Sequence, residues 1–488
     1  MANVSFLHWK SQSRDNTYTT LLRFEVGVKQ IKIEVTEVTI GMFISGLDRP
    51  WTQTPFPLQG FYVRNLDEIN TLKSHCHHVY IDILKGARPV KADLKTLSAP
   101  ARARSTGRAS ATDKQTGLAP LKVKYNTYAV TESLRNEVSL ARELHREVHL
   151  AVSSIMEQLT TGDAASAIAS TKRSASAMVG SVLRCPDAFT WLTRIKQRDE
   201  HTYNHSVRSA IWGILLGRHM GLSKMDLEAL AMGLLLKDVG KTKLPQDLLL
   251  KQVRTPAEQA EYETFVALGV EMLEGVADLP PRVVGLVKTH REHVNGSGFP
   301  KHLRGDKIPL LGRIASVVIY YDEVTNPRDA ARPQSPSKAV AQLYDGRDSL
   351  FQGDLVVEFI RSIGLYPTGT LIELNTGEVA VVVEQNFERR LKPRIMVVLD
   401  PLKQKLQQPV FLDMAEDDKN KQTKIDAGKL RADNAEWIEI AQDLEADAYG
   451  VDVMAICDIY INRPEAKNAS GLLGFLKGKK GLGAMFGS

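Results

Sequence analysis

His290-Arg291-Glu292-His293-Val294-Asn295-Gly296-Ser297-Gly298-Phe299-Pro300, continuing to Gly305, Ile308-Pro309-Leu310 and Arg313-Ile314, is the stretch on which the fold turns. It sets the turn formers Gly298 and Pro300 among helix-length apolar-periodic segments such as residues 207–220, 227–236 and 257–273, which break at Gly and Pro. Residues 170–363 therefore read as an all-α domain. Two further clusters precede the stretch. In Asp199-Glu200-His201-Thr202-Tyr203-Asn204-His205-Ser206, the two histidines share one helical face; they either grip a metal, or one of them faces solvent or caps a neighbour. In Lys237-Asp238-Val239-Gly240-Lys241, Asp238 closes the apolar run Leu234-Leu235-Leu236, which places a carboxylate at the buried end of a helix. A buried charge needs a partner: Lys237, Lys241 or a metal.

Moving outward, residues 30–84 alternate apolar and polar side chains, as in Ile31-Lys32-Ile33-Glu34-Val35, and predict a small β-rich domain. Residues 85–124 lose aromatics and gain Ala, Ser, Thr, Pro and Arg, a composition unable to bury enough apolar surface to offset ordering entropy. From Val130 a stripe through Leu134, Val138, Ala141, Leu144, Val148, Val152 and Ile155 predicts a long helix, either a homodimer stalk or the first core-packed helix. After Tyr366-Pro367, short β-branched runs around the turn Asn375-Thr376-Gly377 predict a small curled sheet. The expected organisation is an N-terminal β-rich domain (1–86), a disordered basic linker (87–128), a connecting helix (129–165), the all-α domain (166–363), a β element (364–414) and an extension with a flexible tail (415–488).

Charge and composition exclude several functions. The chain of 488 residues has 63 basic and 57 acidic side chains, yet residues 85–124 alone hold ten basic and two acidic ones. That local surplus exceeds the net charge of +6, so the rest is slightly acidic and no specific nucleic-acid surface is expected. The tract 102–108 reads as solvated linker. Three scattered cysteines form neither a disulfide framework nor a paired metal knuckle, and no run approaches the ~18 apolar residues of a membrane span. A cytoplasmic protein without a transmembrane segment is expected. No glycine-rich phosphate loop is present, which argues against a nucleoside triphosphatase. In His75-Cys76-His77-His78, neighbours on a strand point to opposite faces, so a core cysteine flanked by exposed histidines is the favoured reading.

The stretch quoted first, with Tyr321-Asp322-Glu323-Val324-Thr325 in register behind it, resembles the signature of the HD-GYP family. Tyr203-Asn204-His205-Ser206 and Lys237-Asp238-Val239-Gly240-Lys241 stand where that family has its Y-x-H-S and H-D-I-G-K motifs. Residues 30–86 resemble the uncharacterised domain that often precedes HD-GYP domains in bacteria. The resemblance implies a multidomain α+β protein, with an all-α HD-type helical domain flanked by a small N-terminal β-rich domain and a small C-terminal β element. It also implies a phosphodiesterase that holds two or three iron or manganese ions and hydrolyses cyclic di-GMP through pGpG to GMP, each ion neutralising phosphate and activating water.

Carried over residue by residue, the resemblance implies metal ligands at His205, Asp238 and His290, and catalytic roles for Asp238 and Lys241. Four expected ligands are replaced, by Lys237, Phe265, Arg291 and Ile319, and His201 stands where some members place a third-metal ligand. Two protein ligands per ion are too few for a tight binuclear site, so divalent metal is expected to be weak or absent. Lys237 and Arg291 are expected to pair with Asp238 and, with Lys241 and Arg313, to face phosphate. The loop Gly298-Phe299-Pro300 keeps the turn and the ring of the family's GYP element, where signalling proteins dock. The expected function is a degenerate member of cyclic di-GMP signalling that binds the nucleotide or partner proteins with little or no hydrolysis. The alternatives are an active phosphodiesterase that recruits His201, His293 or Glu292, and a purely structural scaffold.

Overall fold

Alternation of β-branched and polar residues produces the strand Gln30–Glu34, and the same pattern recurs at Phe43–Leu47, Phe61–Tyr62 and His78–Asp82. In the computed structural model, which describes residues 30–49, 56, 61–63, 66–82, 118–119, 121–194, 201–251, 253–328, 333–386, 389, 391–431, 435–446 and 448–463, these four strands form one antiparallel sheet. Its order is Gln30–Glu34, His78–Asp82, Phe43–Leu47, Phe61–Tyr62, and the helix Leu66–His75 leads into the strand His78–Asp82. Cys76 is buried, His77 exposed, and His75 and His78 half-buried. The backbone N–H groups of His77 and His78 donate to the Asp48 carboxylate, so the cluster serves a turn. The tract 102–108 and the tail 464–488 lie outside the described residues.

The second unit falls within residues 101–488. Part of the expected linker belongs to it: Tyr125 donates to Glu358 at 2.8 Å, Tyr128 donates to the Leu222 carbonyl at 2.7 Å, and the Lys124 N–H reaches the Met220 carbonyl. Two tyrosines give this segment the anchors that the more basic residues before it lack. The predicted long helix is Leu134–Thr161, capped by Ser133, and its stripe of Val138, Ala141, Val148, Val152 and Ile155 is buried. It packs against Ala164–Arg184, so it is a core-packed helix and not a free stalk.

Helices His201–Met220, Lys224–Leu236, Phe265–Leu273, Pro281–Thr289 and Leu310–Thr325 surround the site. Lys224–Leu236 is buried along most of its length, which is why its C-terminal end delivers Lys237 and Asp238 into the core. The chain then tightens into the 3-10 turn Val239–Lys243 against Phe265–Leu273. Gly240 is required there: a Cβ would stand 1.9 Å from the Phe265 carbonyl oxygen and 2.4 Å from the Gly269 nitrogen.

The C-terminal sheet is antiparallel, in the order Lys405–Asp413, Arg394–Leu399, Val379–Glu384, Leu371–Leu374, Ile440–Asp443. Its last strand comes from the stretch expected as an extension, whose alternation at Trp437-Ile438-Glu439-Ile440 is masked by high charge. The helix Val453–Asn462 returns to the helical body, with Tyr460 donating to Glu384 and Arg142 paired to Asp458. Trp191 donates to the Val383 carbonyl, and Thr368 to Asp187, joining sheet and helices. Among the described residues no helix is long and apolar enough to cross a membrane.

Because backbone cannot move aside as a side chain can, Gly240→Ala should lower unfolding free energy by about 3 kcal/mol, the top of the overpacking range. Gly285→Ala is the control. It adds a Cβ that meets nothing within 4 Å, inside Pro281–Thr289, and should be neutral or stabilising by up to about 1 kcal/mol. Urea unfolding midpoints compare the two, and equal effects would refute the close approach.

Candidate functional site

Asp238 is the centre of the site and has essentially no exposure to water. Lys237 donates to its Oδ2, and the Lys241 ammonium lies 2.7 Å from its Oδ1, as an ion pair rather than a well-directed hydrogen bond. Burial opposes ionisation of Asp238, but the two lysines outweigh it and hold the carboxyl well below its usual range. Burial pulls the Lys237 ammonium down to about 8, against Asp238, so both members stay charged at neutral pH. Lys241 also lies over two rings, with its Nζ 5.0 Å from the Phe265 centroid and 5.9 Å from that of Tyr262.

His205 reaches the cluster from the helix His201–Met220. Its Nδ1 donates to Asp322 Oδ2 at 2.7 Å, and Arg208, one turn further on, donates Nε to Asp322 Oδ1 at 2.8 Å. Burial, reinforced by Lys237, pushes the His205 imidazole down to about 4, leaving a neutral ring with its proton on Nδ1. His290 follows the same logic. Its Nδ1 donates to the Val287 carbonyl at 2.8 Å, and burial with Arg291 beside it pushes the ring down to about 3. The buried Nε2 of His290 is then a lone pair without a hydrogen-bond partner among the described residues.

The cations and the loop depart from expectation in several places. Arg291 does not pair with Asp238; it forms a two-pronged pair with Glu323, Nη2 to Oε1 at 2.5 Å and Nη1 to Oε2 at 3.1 Å. The helix Leu310–Thr325 brings Glu323 to it, one residue after Asp322. Lys237 has no exposed surface, so it neutralises Asp238 from inside and cannot meet a phosphate. Arg313 is held by Gln352 at 2.8 Å and Asp306 at 3.4 Å, apart from the Asp238 ion pairs. Glu292 accepts the backbone N–H groups of Lys301 and Leu303, and both its oxygens are thereby used to close the loop. His293 bonds Ser297 within that loop.

Gly298 is buried where a Cβ would meet the Arg291 oxygen and the His293 nitrogen at 2.4 Å, so packing demands this glycine. Phe299 sets its half-buried ring edge-on to Phe265, centroids 6.2 Å apart, and Pro300 is exposed. Phe265 and Ile319 are fully buried apolar side chains. His201 is the first residue of its helix. Sequence reasoning missed Asp322 and Glu323 as members of the site. The signal was an acidic pair directly after the largely apolar segment Ile314–Tyr321, where a carboxylate at the end of a buried helix needs partners.

Residues 30–167 match a domain of unknown function, DUF3391, and residues 193–355 match the HD domain family. The chain is similar to the cyclic di-GMP phosphodiesterase PA4108 of Pseudomonas aeruginosa, 28% identical over 75% of this chain and 84% of that protein. It is also similar to the cyclic di-GMP phosphodiesterase response regulator RpfG of Xanthomonas campestris, 30% identical over 34% of this chain and 45% of that one. A solved structure, Bd1817, an HDG"Y"P protein from Bdellovibrio bacteriovorus, aligns at a TM-score of 0.40 and 14% identity, over 68% of this chain and 98% of that one. The His205, Asp238 and His290 constellation sits inside the segment 193–355 that matches the HD domain family, which follows the segment 30–167 that matches DUF3391.

Proposed function

We propose that this chain binds a cyclic dinucleotide, cyclic di-GMP being the substrate named for the two relatives above, and hydrolyses it little or not at all. The observation that carries this reading is the state of Asp238, whose two oxygens are both taken by ammonium groups. An HD-type metal pair needs this carboxylate free to bridge two ions, with several further ligands. The donor set present does not fit. His205 and His290 offer neutral rings, but Phe265 and Ile319 are apolar, Glu292 is spent on the loop, and Lys237 and Arg291 are cations that repel an incoming ion. Among the described residues no three His, Cys, Asp or Glu side chains converge as a metal group.

The same charges suit a phosphodiester. Lys237, Lys241 and Arg291 face Asp238 and Glu323, which leaves one positive charge unmatched while the histidines are neutral. Lys241 and Arg291 retain 11% and 17% side-chain exposure, so they, and not Lys237, are the groups that meet phosphate. The Phe299 loop, braced by Glu292, forms a fixed rim on which a partner protein can dock. Arg313, engaged with Gln352 and Asp306, is left out of the phosphate set.

The ion-pair argument predicts unequal effects on stability. Asp238→Asn strands two buried ammonium groups and should cost about 3–5 kcal/mol, whereas Lys237→Met leaves Asp238 paired to Lys241 and should cost about 1 kcal/mol or less. Denaturant unfolding of both variants reads this directly, and a reversed order would reject it.

For function, the purified chain should hold well under one manganese or iron per molecule and should not turn over cyclic di-GMP. In calorimetry Lys241→Ala should weaken cyclic di-GMP binding by about tenfold or more, as loss of a charged hydrogen bond implies, while Arg313→Ala should stay within about twofold. Stoichiometric metal together with turnover would establish the active phosphodiesterase instead, and absence of any nucleotide binding would establish a scaffold.

A further inference from the structure

A pocket of about 280 Å³ lies where the helix His201–Met220 and the start of Pro336–Asp345 meet the strand Leu371–Leu374 of the C-terminal sheet. Arg194, Asn204, Arg208, Ser335 and Thr370 supply much of its polar lining. Arg208 is 7% exposed. Its Nε is spent on Asp322, but its buried Nη2 has no acceptor among the described residues. Arg194 donates Nη2 to Thr370 Oγ1 at 3.0 Å, and its buried Nε likewise has no acceptor among them.

Among the described residues, the two nearby carboxylates, Asp322 and Asp443, already accept several hydrogen bonds each. Asp322 accepts from His205, Arg208 and Asn326. Asp443 accepts from the Ser335 hydroxyl and from both the N–H and hydroxyl of Ser337. A guanidinium cannot shed its proton to escape the cost, so buried N–H groups that have no acceptor among the described residues suit an oxygen brought by a ligand. The planar fork of arginine matches the paired oxygens of a carboxylate or phosphate.

We propose that this pocket binds a small oxyanion, a phosphate or carboxylate group held between Arg194 and Arg208. It is smaller than the roughly 300–1,000 Å³ that drug-sized ligands occupy, so it suits a compact anion rather than a whole cyclic dinucleotide. The site stands apart from the Lys237–Asp238–Lys241 cluster and does not depend on what that cluster binds. Asp322 is shared, however, carrying Arg208 on one oxygen and His205 on the other.

The test titrates the full chain with inorganic phosphate, and in parallel with acetate, by calorimetry. Saturable binding of either anion is expected, and the preferred anion identifies the oxyanion as phosphate or carboxylate. The affinity should survive Lys241→Ala within about twofold and fall by about tenfold or more in Arg194→Gln. Ala446→Trp, which fills the mouth of the pocket from an exposed position, should also weaken binding and carries the test if Arg194→Gln does not fold. No saturable binding of either anion, or binding unaffected by both pocket variants, overturns the proposal.

Discussion

A single carboxylate with no access to water, Asp238, sets the terms for the helical unit. Leaving water as an ion is tolerable only with counter-charge within contact distance. Two lysines provide it, one from the preceding residue and one from three residues on, and the tight turn between them exists only because Gly240 lets the chain touch the backbone of Phe265–Leu273. The other groups arrange themselves around that charge. The histidines stay neutral because they are buried beside cations, and Arg291 turns to Glu323 because Asp238 has no oxygen to spare.

The site is therefore built in two layers of ion pairs with different exposure. Lys237 and Asp238 form a sealed inner pair, and Arg208 with Asp322 forms a second buried pair that orients His205. Lys241, Arg291 and Glu323 make an outer, partly exposed layer. Here side-chain nitrogen occupies the positions around the central carboxylate, and the charge that remains over at the surface is positive. The loop through Gly298 and Phe299 closes against Phe265, with Glu292 acting as its internal brace.

The residue pattern alone carried much of this. The apolar period of 234–236 ending at Asp238 announced a buried charge needing a partner, and the adjacent lysines supplied the candidates. The long helix, the alternating strands and the turn at 375–377 were likewise legible, because amphipathic periods of 3.6 and 2 are local properties. The strand Ile440–Asp443 was harder, since its alternation is embedded in charged sequence and it becomes a strand only when the edge of Leu371–Leu374 is there to pair with.

Sequence by itself determined the fold class and the buried carboxylate that closes the apolar run 234–236, because hydrophobic period and the charge that ends it are written along the chain. Tertiary structure alone decided who pairs with whom. Arg291 and Glu323 are 32 positions apart, His205 and Asp322 are 117 apart, and Arg194 and Thr370 are 176 apart. Charge pairing in a low-dielectric interior depends on distances of a few ångströms, and those are set by how helices pack rather than by where residues fall in the chain.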